Sequence, residues 1–244
     1  MLILRAKNYD HMSRIAANIL AAQIVLKPDS CLGLATGGSP VGAYKQLIEK
    51  YKNADVCFSR VKSVNLDEYC GLGPDNDQSY AYFMRKNLFD HININLANVY
   101  IPDGLESDAA KECGRYDRII AENPVDIQLL GIGTNGHIGF NEPASHFKVG
   151  TNHAALSEHT INANKRFFEK EENVPKTAYT MGIVQIMSAK KVLLIASGET
   201  KTDIMYEALF GPITPKVPAS ILQMHGDLVV VGDEAALSRI PVMP

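Results

Sequence analysis

The sequence predicts an α/β fold: an open, doubly wound (Rossmann-like), mostly parallel sheet with helices on both faces and a lid segment. Two observations lead to this prediction. Apolar runs of three to seven residues alternate with amphipathic stretches along the chain. Several runs are hydrophobic throughout, as expected when helices cover both faces of a parallel sheet. At roughly 100–200 residues per domain, the 244 residues fit a single domain spanning 1–244.

Seven apolar runs are the predicted strands of this sheet. They are short, and most are rich in leucine, isoleucine or valine, which suit a buried pleated surface. In chain order they are Leu2–Leu4, Cys31–Ala35, Val61–Leu66, Val99–Ile101, Ile127–Ile132, Val192–Ala196 and Leu228–Val231.

The stretches between these runs are the predicted helices, because their apolar residues recur every three or four positions. Asp10, Ser79 and Ser107 are the predicted N-terminal caps of three of them. The helices are a stretch after Asp10 that carries Ile15, Ile19, Leu20 and Ile24, then Val41–Tyr51, Tyr80–Phe89, a stretch from Ser107 to about Ala121, and Glu199–Phe210.

The polar stretch Gly150–Lys176 is weakly patterned. Long polar segments late in such a fold are either functional lids or plain surface insertions. Composition alone favours an insertion, and a lid over about residues 150–180 is the functional alternative.

The charge balance excludes a dedicated nucleic-acid binder, since 24 basic residues face 27 acidic ones and the net charge is −3. No apolar run approaches the roughly 18–20 residues of a membrane span. The first ten residues lack the apolar core of a signal peptide. We therefore expect neither a nucleic acid nor a membrane as a partner.

The cysteines and histidines predict no metal centre. The four cysteines contain no C-x-x-C pattern, and the seven histidines contain no H-E-x-x-H pattern. Scattered thiols are typical of proteins in the reducing cytoplasm, where we expect this one. Cys31 and Cys57 lie in apolar stretches and are predicted core residues.

A glycine-rich loop follows the second predicted strand, and its residues are Thr36, Gly37, Gly38 and Ser39. The glycines let backbone N–H groups face a ligand, and a helix N-terminus attracts anions. The loop is therefore either a phosphate cradle or an ordinary tight turn before a helix. No Gly-Lys-Ser/Thr follows, which excludes a Walker P-loop.

Asp67 and Glu68 come where the third predicted strand ends. A partly buried carboxyl there could serve as a general base, because burial raises its pKa. The structural alternatives are a helix cap for Asp67 and a solvated charge for Glu68. In open α/β sheets, ligands bind outside the carboxyl ends of the strands, which is where both acids lie.

A third loop, Gly131–Pro143, follows the fifth predicted strand and contains a formal G-x-G-x-x-G. Its context excludes a dinucleotide site, because no helix and no later acidic residue suit that fingerprint. Within the loop, Asn135, His137 and Glu142 form a candidate acid–base group. A histidine shuttles protons near neutral pH, and a carboxylate can stabilise its charged form.

Together these segments resemble the glucosamine-6-phosphate deaminase family from about Met1 to Asp233. The resemblance rests on seven segments, of which the His-Ile-Gly-Phe-Asn-Glu block is the most specific. The matching segments are 32–40, 64–69, 79–84, 131–143, 164–168, 174–182 and 197–201.

The resemblance implies conversion of D-glucosamine 6-phosphate and water to D-fructose 6-phosphate and ammonia, without a metal or organic cofactor. It implies that Asp67 moves a proton from C2 towards C1 through an enolamine. It implies that His137 opens the pyranose ring, with Glu142 and Asn135 orienting it. Many members carry Asp at the Asn135 position, and Asn cannot ionise, so we interpret this chain as a subtype with altered His137 basicity.

The resemblance also implies that Thr36–Ser39, Arg166 and Lys201 hold the substrate phosphate. Allosteric members carry a basic pair after the Asn-Glu-Pro block and a longer C-terminal tail. Here Thr151–Ala154 lacks Arg and Lys, and the sequence ends at Pro244. We therefore expect a monomer or small homo-oligomer without activation by N-acetylglucosamine 6-phosphate.

Three alternatives remain. A 6-phosphogluconolactonase has a similar fold and phosphate loop but needs no base aimed at C2. A sugar-phosphate sensor of a transcription regulator needs a DNA-binding module, which the opening strand does not provide. A catalytically inactive binding protein would not need the full acid–base set.

Overall fold

The computed structural model of this chain describes residues 1–165, 168 and 174–241. Within these residues, seven parallel strands form one sheet, in the order β1-β10-β9-β6-β2-β3-β5. These strands are β1 Leu2–Ala6, β2 Cys31–Leu34, β3 Lys62–Asn65, β5 Val99–Tyr100, β6 Ile127–Leu130, β9 Lys191–Ala196 and β10 Leu228–Asp233.

Each predicted apolar run overlaps one of these seven strands, so the predicted parallel sheet is confirmed. Side chains alternate between the two faces of a strand. In β9, Val192 and Leu194 pack into one hydrophobic cluster, whereas Leu193 and Ile195 pack into the other. Because both faces are buried, every position from Val192 to Ala196 is apolar, and the sequence shows a continuous run.

Helices cover both faces of the sheet. The first two pack beside each other on one face, and the fourth, sixth and seventh contribute to the opposite cluster. The helices in the described residues are α1 Tyr9–Leu26, α2 Gly38–Lys52, α3 Tyr80–Asn87, α4 Ala109–Glu122, α5 Glu158–Asn164, α6 Ile183–Met187 and α7 Thr202–Phe210. None of them is long and apolar enough to cross a membrane.

Two predicted caps are wrong by one or two residues. The side chain of Asn8, and not of Asp10, accepts the His11 amide at 2.9 Å at the start of α1. Asp108, and not Ser107, accepts two amides at the start of α4. Ser79 caps α3 as predicted. A cap must lie just before the first helical residue, so a small error in a boundary moves the cap to another side chain.

A second sheet of three antiparallel strands, in the order β4-β8-β7, was not predicted. Its strands are β4 Asp67–Tyr69, β7 Asn152–Ala155 and β8 Thr177–Thr180. They are only three or four residues long, and none is an apolar run. The weakly patterned stretch from residue 150 therefore begins with a strand and continues into α5, and its role as a lid stays a prediction.

Cys31 is buried as predicted, but Cys57 is exposed, so the prediction that it is a core residue is wrong. Its thiol lies 3.2 Å from the Ser59 hydroxyl and 3.2 Å from the Asn93 amide nitrogen, between α2 and β3. The apolar neighbours Val56 and Phe58 are buried in its place.

Candidate active site

A cavity of about 490 Å³ opens at the carboxyl ends of the parallel strands, where ligands bind in open α/β sheets. Its wall brings together the three loops singled out in the sequence. From these loops, the lining residues include Thr36, Gly37, Gly38, Ser39, Asp67 and His137, and Lys201 joins them from the segment after β9.

The loop after β2 forms one end of this cavity. Gly37 has a φ of +91°, a left-handed conformation that favours glycine, and α2 begins at the next residue. No side chain caps α2, and its first turn contains no acidic residue. The first-turn N–H groups and the positive end of the helix dipole therefore face the cavity without a competing carboxylate, which suits an anion.

Lys201 lies beside this loop. Its ammonium group donates a hydrogen bond to the Ile132 carbonyl oxygen at 2.6 Å, which holds the charge at the cavity wall. Arg166, the other predicted phosphate ligand, lies outside the described residues.

Asp67 lies where the chain leaves the parallel sheet. β3 ends at Asn65, and after Leu66 the chain enters β4, whose first residue is Asp67. Its side chain is buried with 5% exposure, yet it lines the cavity. Burial, followed by the nearby charge of Glu68, raises the pKa of Asp67 well above its ordinary value. A carboxyl of this kind can accept and hold a proton, as a general base requires.

Glu68 is buried, and its carboxylate caps the N-terminus of α3. It is therefore not the solvated charge given as an alternative by the sequence. Its carboxylate accepts the backbone N–H groups of Tyr69, Tyr80 and Ala81 at 2.8–2.9 Å. Burial raises its pKa to about 7, although these three hydrogen bonds favour the charged form. Glu68 thereby ties β4, which carries Asp67, to the first turn of α3.

His137 lies across the cavity on the third loop. A Cβ atom at Gly133 would come within 2.2 Å of the imidazole ring, so glycine is required there. The backbone N–H of His137 donates to the Asn135 side-chain oxygen at 3.2 Å. Its Nδ1 lies 3.7 Å from Glu142 Oε2, which is beyond hydrogen-bond distance, and that buried nitrogen has no partner among the described residues. Such contacts often tighten only when substrate binds.

Glu142 is held by donors that keep it charged. Asn135 donates its side-chain amide to Glu142 Oε2 at 2.8 Å, and the Thr160 hydroxyl donates to Oε1. Burial alone would raise the pKa of Glu142, but the charge of His137 and these hydrogen bonds outweigh burial and lower it to about 2. Glu142 is therefore a fixed negative charge beside the imidazole, and Asn135 contacts both residues.

Sequence reasoning missed four residues around the cavity, namely Tyr9, Tyr80, His159 and Thr160. Tyr80 stacks on Phe140 with ring centroids 5.8 Å apart, and burial raises its pKa well above the ordinary value, so its phenol stays protonated. His159 Nε2 lies 2.6 Å from the Thr134 hydroxyl. These contacts join distant parts of the chain, so local sequence patterns do not indicate them. Tyr80 alone lies in a segment of the resemblance, Ser79–Met84.

The fold and the site define a class: a parallel α/β protein in which a glycine-rich loop at a helix N-terminus lines one cavity with a carboxyl and an imidazole suited to proton transfer. The sequence profile of the family described as glucosamine-6-phosphate isomerases/6-phosphogluconolactonase matches residues 6–230. The chain belongs to this family.

Two curated relatives within reach of sequence comparison are both glucosamine-6-phosphate deaminases. The chain is 57% identical over 232 residues to a glucosamine-6-phosphate deaminase of Lachnoclostridium phytofermentans, covering 95% of this chain and 98% of the relative. It is 54% identical over 241 residues to a glucosamine-6-phosphate deaminase of Clostridioides difficile, covering 98% and 97%.

Solved structures agree with the fold. A monomeric glucosamine-6-phosphate deaminase superposes with a TM-score of 0.95 at 44% identity, covering 98% of this chain and 99% of the other. A 6-phosphogluconolactonase from Leishmania guyanensis superposes with a TM-score of 0.77 at 20% identity, covering 99% of each chain. The second likeness concerns the fold alone.

Proposed function

We propose that this protein converts D-glucosamine 6-phosphate and water to D-fructose 6-phosphate and ammonia, in the breakdown of amino sugars. One observation carries the proposal: a buried carboxyl with a raised pKa, an imidazole beside a fixed carboxylate, and an anion-binding loop all face one cavity. The deaminases that are 57% and 54% identical to the chain support it.

Ring opening is the first step of the proposed mechanism. His137 takes the proton of the anomeric hydroxyl and returns a proton to the ring oxygen as the C1–O5 bond breaks. Glu142 stabilises the imidazolium that forms between these transfers, and Asn135 holds both residues in place. The product is the open-chain aldehyde.

Asp67 performs the second step. Its carboxylate accepts the proton from C2. The C2–H electron pair forms the C1=C2 bond of the enolamine, and the C1=O electron pair moves to O1, which takes a proton from solvent. The same carboxyl then returns its proton to C1 while the amine lone pair forms the C=N bond at C2. The imine left at C2 then takes up water and releases ammonia, which leaves the ketone. The raised pKa of Asp67 supports this role, because a carboxylate with a raised pKa accepts a proton more readily than an ordinary carboxylate does.

The 6-phosphate binds at the loop Thr36–Ser39 in this proposal. Phosphate carries nearly two negative charges, which the uncapped N-terminus of α2 and the ammonium group of Lys201 would compensate. Arg166 remains a proposed ligand on the strength of the resemblance. The whole chain is proposed to act as one catalytic domain, with a lid at about residues 150–180.

The reaction is tested by measuring ammonia release from glucosamine 6-phosphate without added metal. Hydrolysis of 6-phosphogluconolactone is measured in parallel. Release of ammonia with no lactone hydrolysis is the expected result. Efficient lactone hydrolysis without ammonia release would assign the chain to the other activity of its family.

We propose further that the enzyme is a cytoplasmic monomer or small oligomer without activation by N-acetylglucosamine 6-phosphate. Thr151–Ala154 supplies no Arg or Lys to bind such an effector, and Asp117 accepts the Thr151 amide at 2.9 Å. The rate should rise hyperbolically with substrate and stay unchanged when the effector is added. Cooperative kinetics that the effector relieves would contradict this.

A further inference from the structure

Tyr9, the first residue of α1, reaches into the phosphate loop. Its hydroxyl donates a hydrogen bond to the Gly38 carbonyl oxygen at 2.9 Å and accepts one from the Gly42 N–H at 2.8 Å. In a regular helix these two backbone groups, four residues apart, pair with each other. An external phenol therefore bridges the first turn of α2, the turn whose N–H groups face the cavity.

The proton of the Tyr9 hydroxyl is used in the hydrogen bond to Gly38. A phenol has one O–H to donate, and Tyr9 donates it to Gly38. Although Tyr9 lines the cavity, it has no second proton to offer an anion. Its contact with the loop fixes the Gly38 carbonyl, which as an acceptor would repel a phosphate if it turned towards one.

Gly42 makes this contact possible. A Cβ atom at Gly42 would lie 2.2 Å from Ser13 Oγ and 2.9 Å from the Tyr9 ring. Glycine at this position therefore permits the close approach of α1 to α2 that brings the Tyr9 hydroxyl within reach.

We propose that Tyr9 is a positioning residue for anion binding. It acts through the backbone from Gly38 to Gly42 and sets the direction of the first-turn N–H groups. That the anion is the 6-phosphate of an amino sugar rests on the proposed function; the positioning of the loop rests on the Tyr9 contacts themselves.

The test is Tyr9→Phe, which keeps the ring against Gly42 and removes only the hydroxyl. Binding of inorganic phosphate is measured by calorimetry, and kcat and KM are measured with glucosamine 6-phosphate. Loss of one bridging hydroxyl should weaken phosphate binding and raise KM by about tenfold, with a much smaller change in kcat.

Ser13→Ala is the matched control. Ser13 packs on the same glycine one turn further along α1, and its buried hydroxyl has no hydrogen-bond partner among the described residues. This variant should bind phosphate like the wild type, and thermal unfolding of both variants reports their stability.

Wild-type phosphate affinity in a folded Tyr9→Phe variant would overturn the proposal. An equal loss in Ser13→Ala would also overturn it, because the effect would then come from helix packing. If the wild type binds phosphate but releases no ammonia, only the proposed function fails. If the wild type binds neither phosphate nor the sugar phosphate, the loop does not bind anions, and the proposed role of Tyr9 is overturned as well.

Discussion

Asp67 is a buried carboxyl and Glu142 a partly buried one near the same cavity, and their pKa values shift in opposite directions. Asp67 lies beside another acid, and burial raises its pKa. Glu142 receives two side-chain hydrogen bonds and faces an imidazole, and its pKa falls to about 2. At Glu142 the hydrogen-bond donors and the imidazole charge outweigh burial, whereas at Asp67 burial and a neighbouring acid act in the same direction.

The largest expected effect tests Asp67, the carboxyl whose pKa is raised. Asp67→Asn removes the base but keeps the shape of the side chain. Turnover should fall by about 10³-fold or more, while binding of the sugar phosphate persists. Ammonia release and calorimetry measure the two quantities. Turnover near the wild-type level would show that Asp67 is not the base.

The role of Glu142 is tested through His137, the imidazole beside it. His137→Gln should lower kcat by roughly 10²-fold, because ring opening loses its proton shuttle. The pH dependence of kcat should change as well, since the proposed proton shuttle is gone. A pH profile identical to that of the wild type would remove His137 from the ring-opening step.

The two carboxyls should also affect stability with opposite sign. The pKa of Glu142 is lower in the folded state than its ordinary 4.5, so its contribution is present above about pH 4.5 and is lost as pH falls towards 2. The pKa of Asp67 is raised, so at neutral pH the folded state either keeps a proton or buries a charge at a cost.

At pH 7, Glu142→Gln should therefore lose about 1–3 kcal/mol of unfolding free energy, and Asp67→Asn should be neutral or stabilised. Thermal unfolding of both variants, at pH 7 and near pH 3, measures this. Destabilisation of the same size by both changes would contradict the opposite signs expected for the two carboxyls.

The smallest expected effect concerns the loop Thr36–Ser39 and does not involve either carboxyl. Gly37→Ala and Gly38→Ala both place a Cβ in open space, but only Gly37 has a positive φ. Gly37→Ala should lose about 1–2 kcal/mol of stability and raise KM. Gly38→Ala should change stability by less than about 1 kcal/mol. Equal behaviour of the two in thermal unfolding and kinetics would contradict the role given to the Gly37 turn.

The parallel sheet was predictable because its strands are buried on both faces. Val192–Ala196, for example, is apolar at every position, and burial alone dictates such a run. β4 and β7 were not predictable, because Asp-Glu-Tyr and Asn-His-Ala-Ala contain no hydrophobic pattern. Their pairing depends on tertiary structure, which can override local propensity.

The candidate site was predictable as far as chemistry is local. The loops around Gly37 and His137 stand out because glycines cluster with polar residues after strands. The buried cap at Glu68 and the Thr160–Glu142 hydrogen bond were not predictable, because they join residues far apart in the chain. The contact of Tyr9 with Gly38 was not predictable either, because the glycine at position 42 is its only trace in the local sequence.

The register of the second sheet has a consequence for biosynthesis. Asp67 in β4 pairs with Thr180 in β8, and the intervening segment includes the whole loop that carries His137. Since this pairing needs residues from both ends of a long sequence interval, it forms late and slowly compared with local helices. A nascent chain on the ribosome can fold β2, α2 and the anion loop early. It completes the surroundings of Asp67 only after Thr180 has emerged, so an incomplete chain has the loop but not the complete wall around Asp67.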